Sequence, residues 1–228
     1  MACVIPAYDA ARTLASVIRG LRAAVPHAMT VVVNDGSRDD TDAAAERWAD
    51  CAVHLPRNQG KGAALRAGFA AALGAGATQI LTIDADGQHD PAYAPRLLAA
   101  LGAADVVIGA RERRGSAMPM HRRFSNAVSA IAVSACAGLR LADSQSGYRA
   151  LRAVVLARVT PAGDRYEYET DFLIQAAREG FRIACVPVPT IYGAPSHFRE
   201  LRDAARVVRT ICRRLPFAML SAASAPAK

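Results

Sequence analysis

The chain has 228 residues, 52% of them hydrophobic, which suits one domain with a sizeable core and excludes a disordered protein. A formal charge of +8 points to an anionic partner, and with 6% aromatic residues, no zinc-ligand spacing and no RNA-binding signature, that partner is not nucleic acid but a phosphorylated substrate or an anionic membrane. Five scattered cysteines without a C-x-x-C, no basic leader ahead of ACVIPAY, and no apolar run of the roughly 18–20 residues a span needs fit a reduced, cytosolic chain.

In chain order, residues 2–8 (ACVIPAY) read as a strand. Residues 10–25 read as a helix, with Leu14, Val17, Ile18, Leu21 and Val25 on one side. TVVVNDGS (30–37) is a buried strand ending in a turn, and DDTDAAAERWA (39–49) a helix with acids in its first turn, Asp39 being the expected cap. A strand at 51–55, a glycine-flanked helix at 60–73, a strand at 78–84, a helix at 91–101 capped by Asp90, and a strand at 104–110 follow. This alternation predicts an α/β domain with a mostly parallel central sheet flanked by helices.

Ligands of such sheets sit beyond the carboxyl ends of the strands. Asp9, Asn34, Asp35, Arg57, Asn58, Asp84, Asp86 and Arg111 all fall there. Asp84 and Asp86, one residue apart at the end of an apolar strand, repel each other and favour a shared proton or a bound cation. Oxygen donors of this kind suit Mg2+ or Mn2+, and Gln88 could add a neutral oxygen. Asp35, beside Gly36, is placed to hold a base or ribose. The Gly60-Lys61-Gly62 run at a helix start offers N–H groups and a cation to a phosphate, although neither the P-loop nor the dinucleotide spacing is present. In the second half, DSQSGYR (143–149) reads as a structured loop. YEYETDF (166–172) brings Glu167, Glu169 and Asp171 together ahead of a helix, as candidates for a general base or for contacts to sugar hydroxyls.

The C-terminal stretch adds two stripes. Phe198, Leu201, Ala205, Val208, Cys212 and Leu215 recur every three or four residues, and so do Arg199, Arg202, Arg206, Arg209 and Arg213. A basic amphipathic helix of this kind suits an anionic membrane surface. Packing of the apolar stripe on the domain, and pairing of helices in a homodimer, are the other two readings.

Taken in order, PAYDAARTL, VVNDGSRDDT, RNQGKGAALRAG, DADGQHDP, VIGAR and DSQSGYRA resemble a family 2 glycosyltransferase of GT-A fold over most of the chain. Within that family, DADGQH, SGYR and YGAPSHF are most similar to dolichyl- or polyprenyl-phosphate sugar synthases. The resemblance implies an inverting transfer of a single sugar from a nucleotide-diphosphate sugar donor to a polyprenyl-phosphate acceptor, at the cytoplasmic face of the membrane. Single transfer also follows from the missing Q-x-x-R-W motif of processive members. It implies that Pro6, Ala7, Tyr8, Asp35 and Lys61, with Asp84, hold the nucleotide sugar, that Asp84, Asp86 and Gln88 hold Mg2+ or Mn2+, and that Arg111, Arg123, Ser125, Arg149 and His197 face the acceptor phosphate. His197 stands where the synthases often carry a basic residue, and Asp9 where the family often has Asn followed by Glu. An acceptor phosphate is already ionised near neutral pH and needs no strong base. For the alternative, a soluble transferase acting on a hydroxyl, the base is Glu169 or Asp171; a binding module without activity is the remaining alternative. The expected organisation is a catalytic domain at 1–194, an amphipathic interface helix at 195–217 and a disordered tail at 218–228.

Overall fold

The computed structural model describes residues 1–111, 130, 133–135, 141, 143–189, 191 and 200–214, the side chains of 200–205 and 212 excepted. Its strands are β1 (Ala2–Ala7), β2 (Met29–Asn34), β3 (Cys51–His54), β4 (Gln79–Thr82), β5 (Val106–Arg111), β6 (Arg149–Arg152) and β7 (Ile183–Val188). Its helices are α1 (Leu14–Ala24), α2 (Thr41–Trp48), α3 (Lys61–Gly74), α4 (Ala94–Ala100), α5 (Ala153–Arg158), α6 (Glu167–Arg178) and α7 (Glu200–Arg214). All nine elements expected over the first half are present.

The strands form one sheet in the order β3-β2-β1-β4-β6-β5-β7. Every pairing is parallel except those of β6, which runs antiparallel to both β4 and β5. Both faces are covered, so the strands read as near-continuous apolar runs. The period of two assigns alternate residues to opposite layers. Val4, Val31 and Val33 pack with Leu65 and Phe69 of α3 and Phe172 and Leu173 of α6. Cys3, Ile5 and Val32 pack with Leu14, Ile18 and Leu21 of α1 and Leu97 of α4.

The sequence does not announce β6, yet β6 builds the site. Because it is antiparallel, Thr82 at the end of β4 lies opposite Arg149 at its start, and Ile108 near the end of β5 lies opposite the same residue. The loop before β6, residues 143–148, therefore joins the carboxyl ends of β4 and β5.

α7 packs on α6 through Val207 and Ile211, both buried. This line is one residue off the expected apolar stripe, whose described side chain, Val208, is 57% exposed alongside Arg206, Arg209 and Arg213. The inner line of α7 thus serves the domain and leaves the Val208 line outward. Phe198, Arg199 and Leu215, the side chains of Leu201, Arg202, Ala205 and Cys212, and the tail 218–228 lie outside the described residues. No helix among the described residues is long and apolar enough to cross a membrane.

Candidate active site

The loops after β1 and β2 are stitched to each other. Asp9 adopts a left-handed φ of 48°. Its N–H donates to Ser37 Oγ at 3.0 Å, and its carboxylate accepts the Arg38 N–H at 2.8 Å. Ala10 and Ala11 donate to Thr41 Oγ1 and Asp39 Oδ2. Asp39, expected as a helix cap, precedes the N-cap residue Asp40; it binds the N–H of Ala11 as well as the N–H and hydroxyl of Thr41. Asp90 does cap as expected, accepting the Ala92 N–H at 2.9 Å.

Asp35 is buried below this loop pair. Its two oxygens accept the N–H groups of Gln59 at 2.7 Å and Gly60 at 2.8 Å. Burial pushes its pKa up, against those two hydrogen bonds. Asp35 therefore shapes the β3–α3 loop from within.

The start of α3 departs from the expected phosphate cradle. Gly62 and Ala63 donate their N–H groups to the Asp164 carbonyl at 2.7 and 3.2 Å. Arg66 binds the Gly163 carbonyl and the Asp164 carboxylate. The segment before α6 thus straps over the helix end and takes up the donors that an incoming phosphate would use. Gly60, at φ 104°, allows the approach, since a Cβ there would stand 2.5 Å from the Asp164 oxygen.

Lys61 is held by two carboxylates, Asp84 Oδ1 at 2.6 Å and Glu169 Oε2 at 3.2 Å. The Tyr166 ring lies 5.9 Å from its ammonium. Burial would lower the Lys61 pKa, but Asp84 and Glu169 outweigh it and raise it. Burial would likewise raise Asp84, yet Lys61 holds this carboxyl below the usual range. The expected repulsion between Asp84 and Asp86 is therefore met, in this structure, by a lysine. Gly147 closes the pair from the other side: a Cβ there would lie 2.5 Å from both Lys61 Nζ and Asp84 Oδ2.

Arg111 is fixed by Asp143 through Nε at 2.7 Å and Nη2 at 3.1 Å. Burial would raise the Asp143 pKa, but the Arg111 guanidinium holds it low. Arg149 differs from expectation. It is 4% exposed and donates to three carbonyls, of Ser146 (2.8 Å), Glu169 (3.1 Å) and Ser144 (3.1 Å). Its guanidinium organises the 144–147 loop and the start of α6 from inside, which leaves it poorly placed for an acceptor.

Glu167, Glu169 and Asp171 lie within the first turns of α6, not ahead of it. Residues two apart on a helix face nearly opposite ways. Glu169 turns to Lys61 and lies 4.0 Å from Arg149. Asp171 turns away and accepts from Arg214 Nε (2.7 Å) and Nη2 (3.1 Å), from Gln175 and from the Ala162 N–H. With both oxygens so engaged, Asp171 anchors α7 and points away from Lys61 and Glu169.

The donor set fits a small oxygen-seeking cation. Asp84 and Asp86 lie just past the end of β4, and Asp86 accepts the Gln88 N–H at 2.9 Å, which holds the Gly87 turn in shape. No three His, Cys, Asp or Glu side chains among the described residues form a cage. Magnesium needs only one or two carboxylates when phosphate and water complete its shell. His89, part of DADGQH but given no role by it, is buried beside this turn against Tyr148, their rings 5.3 Å apart, and its Nδ1 has no hydrogen-bond partner among the described residues. Its burial, opposed by Asp84, lowers its pKa to about 4, so its ring is neutral at pH 7. Gly147 and Asp143 were also missed as single residues, though DSQSGYR marked their loop. Pro6 and Ala7 end β1 and Tyr8 follows it, the Ala7 carbonyl accepting the Asp35 N–H at 2.8 Å. Arg123, Ser125 and His197 lie outside the described residues.

A family model described as glycosyl transferase family 2 matches residues 2–156. The undecaprenyl-phosphate mannosyltransferase of Micrococcus luteus is 35% identical over 202 residues, covering 81% of each chain. The polyprenol monophosphomannose synthase of Mycolicibacterium smegmatis is 31% identical over 198 residues, 81% of this chain and 75% of its own. Among solved structures, glucosyl-3-phosphoglycerate synthase of Mycobacterium tuberculosis, in complex with Mn2+, UDP and phosphoglyceric acid, superimposes with a TM-score of 0.75 at 22% identity, over 94% of this chain and 78% of its own.

Proposed function

The chain belongs to glycosyl transferase family 2, and from that premise we propose that it transfers one sugar, with inversion, from a nucleotide-diphosphate sugar to a polyprenyl phosphate at the cytoplasmic face of the membrane. The observation that carries this reading is the 35% identity, over four-fifths of both chains, to an undecaprenyl-phosphate mannosyltransferase. The site supports it: a strand-end carboxylate pair for the leaving diphosphate and an Arg111 anchored by Asp143.

Asp86, Asp84 and Gln88 would hold Mg2+ or Mn2+ at the donor's diphosphate. Once bound, such an ion supplies charge neutralisation to the leaving nucleotide. The loops carrying Pro6, Ala7, Tyr8 and Asp35 would seat the nucleoside. Arg111, kept in place by Asp143, would steer the acceptor phosphate, together with Arg123, Ser125 and His197, which are assigned on the family resemblance alone. An oxygen of that phosphate attacks the anomeric carbon from the face opposite the nucleotide. The carbon–oxygen bond to the diphosphate breaks, and nucleoside diphosphate departs with the electron pair. The phosphate arrives ionised, since its second pKa is about 6, so no proton need be removed.

For the hydroxyl-acceptor reading, the two candidate bases already have partners: Glu169 is paired with Lys61, and Asp171 with Arg214. The exposed Arg206, Val208, Arg209 and Arg213 of α7 support contact with an anionic lipid surface.

The direct test supplies labelled GDP- or UDP-sugars with undecaprenyl phosphate and Mn2+. Label should pass into the organic phase and be released by mild acid. Label that stays in the aqueous phase, on a water-soluble acceptor, would overturn the reading.

A further inference from the structure

Asp84, Lys61, Glu169 and Arg149 form an internal chain of alternating charge. The successive contacts are 2.6 Å, 3.2 Å and 4.0 Å. The four charges cancel. The side chains of Lys61, Asp84 and Glu169 are 14%, 25% and 4% exposed, so their interactions are little screened by solvent. Arg149 is tied to three carbonyls and Glu169 is buried on α6, which fixes the far end of the chain. Lys61 is the movable link, a compact cation on a four-carbon stem.

We propose that Lys61 and the divalent cation are rivals for Asp84, and that Glu169 is a positioning residue that holds Lys61 so that this carboxylate can be given up. The proposal rests on the metal-dependent reading above and goes beyond it by assigning Lys61 a place inside the protein, not on the nucleotide.

The geometry makes the rivalry direct. The Lys61 ammonium sits on Asp84 Oδ1, and Gly147 packs against the pair too closely for water to separate them from that side. A doubly charged ion that takes Asp84 Oδ1 competes with the ammonium already seated there. It can displace Lys61 only if the ammonium keeps another partner, and Glu169 is already 3.2 Å away with the Tyr166 ring beside it. The nucleotide-free protein therefore binds a cation weakly at Asp84, and a diphosphate, by adding negative charge, tips the exchange. The cation and the donor then enter together. Glu169 acts through Lys61 and touches no reacting atom in this scheme.

The two links predict opposite signs. Lys61→Met removes the rival, so nucleotide-free protein should bind Mn2+ tighter, by about 5- to 150-fold if the pair behaves as ordinarily coupled sites do. Glu169→Gln keeps shape but leaves Lys61 with Asp84 as its sole carboxylate partner, so Mn2+ should bind more weakly. Lys61→Arg should restore an affinity close to wild type. The measurement is calorimetric or electron-paramagnetic titration of Mn2+ into each variant, without nucleotide and then with UDP or GDP, each fold being checked by circular dichroism. General damage would move both variants in one direction. A Lys61→Met protein that binds Mn2+ no tighter than wild type, or Glu169→Gln and Lys61→Met shifting the same way, overturns the proposal while leaving metal dependence standing. Wild type that binds no Mn2+ with or without UDP or GDP overturns the metal reading and this proposal with it. Should Lys61→Met fail to fold, Lys61→Gln, which also removes the charge, should tighten Mn2+ binding in the same way, and no tightening there overturns the proposal.

Discussion

Asp143 holds the Arg111 guanidinium by two hydrogen bonds, Nε to Oδ2 at 2.7 Å and Nη2 to Oδ1 at 3.1 Å, across the gap between the β6 loop and the end of β5. A paired carboxylate whose pKa is held low binds fewer protons folded than unfolded. Its contribution is complete above the unfolded value of about 3.9 and disappears as pH falls through the lower folded value. Asp143→Asn should therefore cost about 1–3 kcal/mol at neutral pH and flatten the acid limb of the stability curve. Urea melts from pH 7 to pH 2 check this; an acid limb with wild-type slope would mean the pair contributes nothing. Because Arg111 loses its anchor, sugar transfer should fall more than donor affinity.

Asp86→Ala should abolish transfer and leave the melting temperature within a few degrees of wild type. Asp86 is only partly buried and sits in the Gly87 turn, away from either core layer. Asp84→Asn should weaken metal-dependent donor binding and also cost stability, since it uncovers Lys61. Turnover by Asp86→Ala near the wild-type rate with Mn2+ present would remove that residue from the ion.

Gly147→Ala puts a methyl 2.5 Å from Lys61 Nζ and Asp84 Oδ2 and 2.6 Å from Asp84 Oδ1. Overpacking of this kind costs about 1–3 kcal/mol. The variant should melt earlier and lose donor affinity together. Calorimetry with UDP or GDP and Mn2+ tests this, and unchanged affinity would mean the β6 loop can yield without moving the pair.

Much of this arrangement was legible beforehand. Short continuous apolar runs bounded by turn residues marked the first five strands, and longer segments such as α1, with apolar residues at 3.6-residue spacing, marked the helices between them. Asp35, Lys61, Asp84 and Arg111 could be placed at strand ends or a helix start, and they stand there in the fold. What escaped was non-local. The four residues of β6 carry no alternation that sets them apart, and only their antiparallel entry between β4 and β5 brings Gly147 and Asp143 to the site. Glu169 and Asp171 looked alike in sequence. Their separation follows from helix phase: α6 begins at Glu167, so the two carboxylates face opposite ways. Val207 and Ile211 were hidden for the same reason, since an arginine-rich helix offers two apolar lines and only tertiary contact chooses between them.

Asp171→Asn separates a structural acid from a catalytic one. Asp171 is buried but Arg214 is a third exposed, so removing this pair should cost about 1–3 kcal/mol and loosen α7, exposing its end to limited proteolysis. Per folded molecule, transfer in a single-turnover assay should survive. A loss of the chemical step with α7 still protected would return Asp171 to the reaction.

The last expectation concerns the outward side of α7. Arg206, Arg209 and Arg213 are exposed beside Val208, while Val207 and Ile211 are committed to the domain. Docking on a lipid surface therefore need not unfold the helix from α6: the two tasks use different lines. Near an anionic surface each arginine contributes about 1 kcal/mol, so Arg206, Arg209 and Arg213 changed together to glutamine should lose about 3 kcal/mol, more than a hundredfold in partitioning. Donor binding should stay intact, because these side chains are remote from Asp84 in the chain and face away from α6. Salt should mimic the change for wild type, with charges screened beyond about 8 Å at physiological ionic strength. The measurement is co-sedimentation with phosphatidylglycerol vesicles over a salt series. If wild type stays in the supernatant even at low salt, α7 is a packing element alone, and the lipid acceptor must be reached through some other surface.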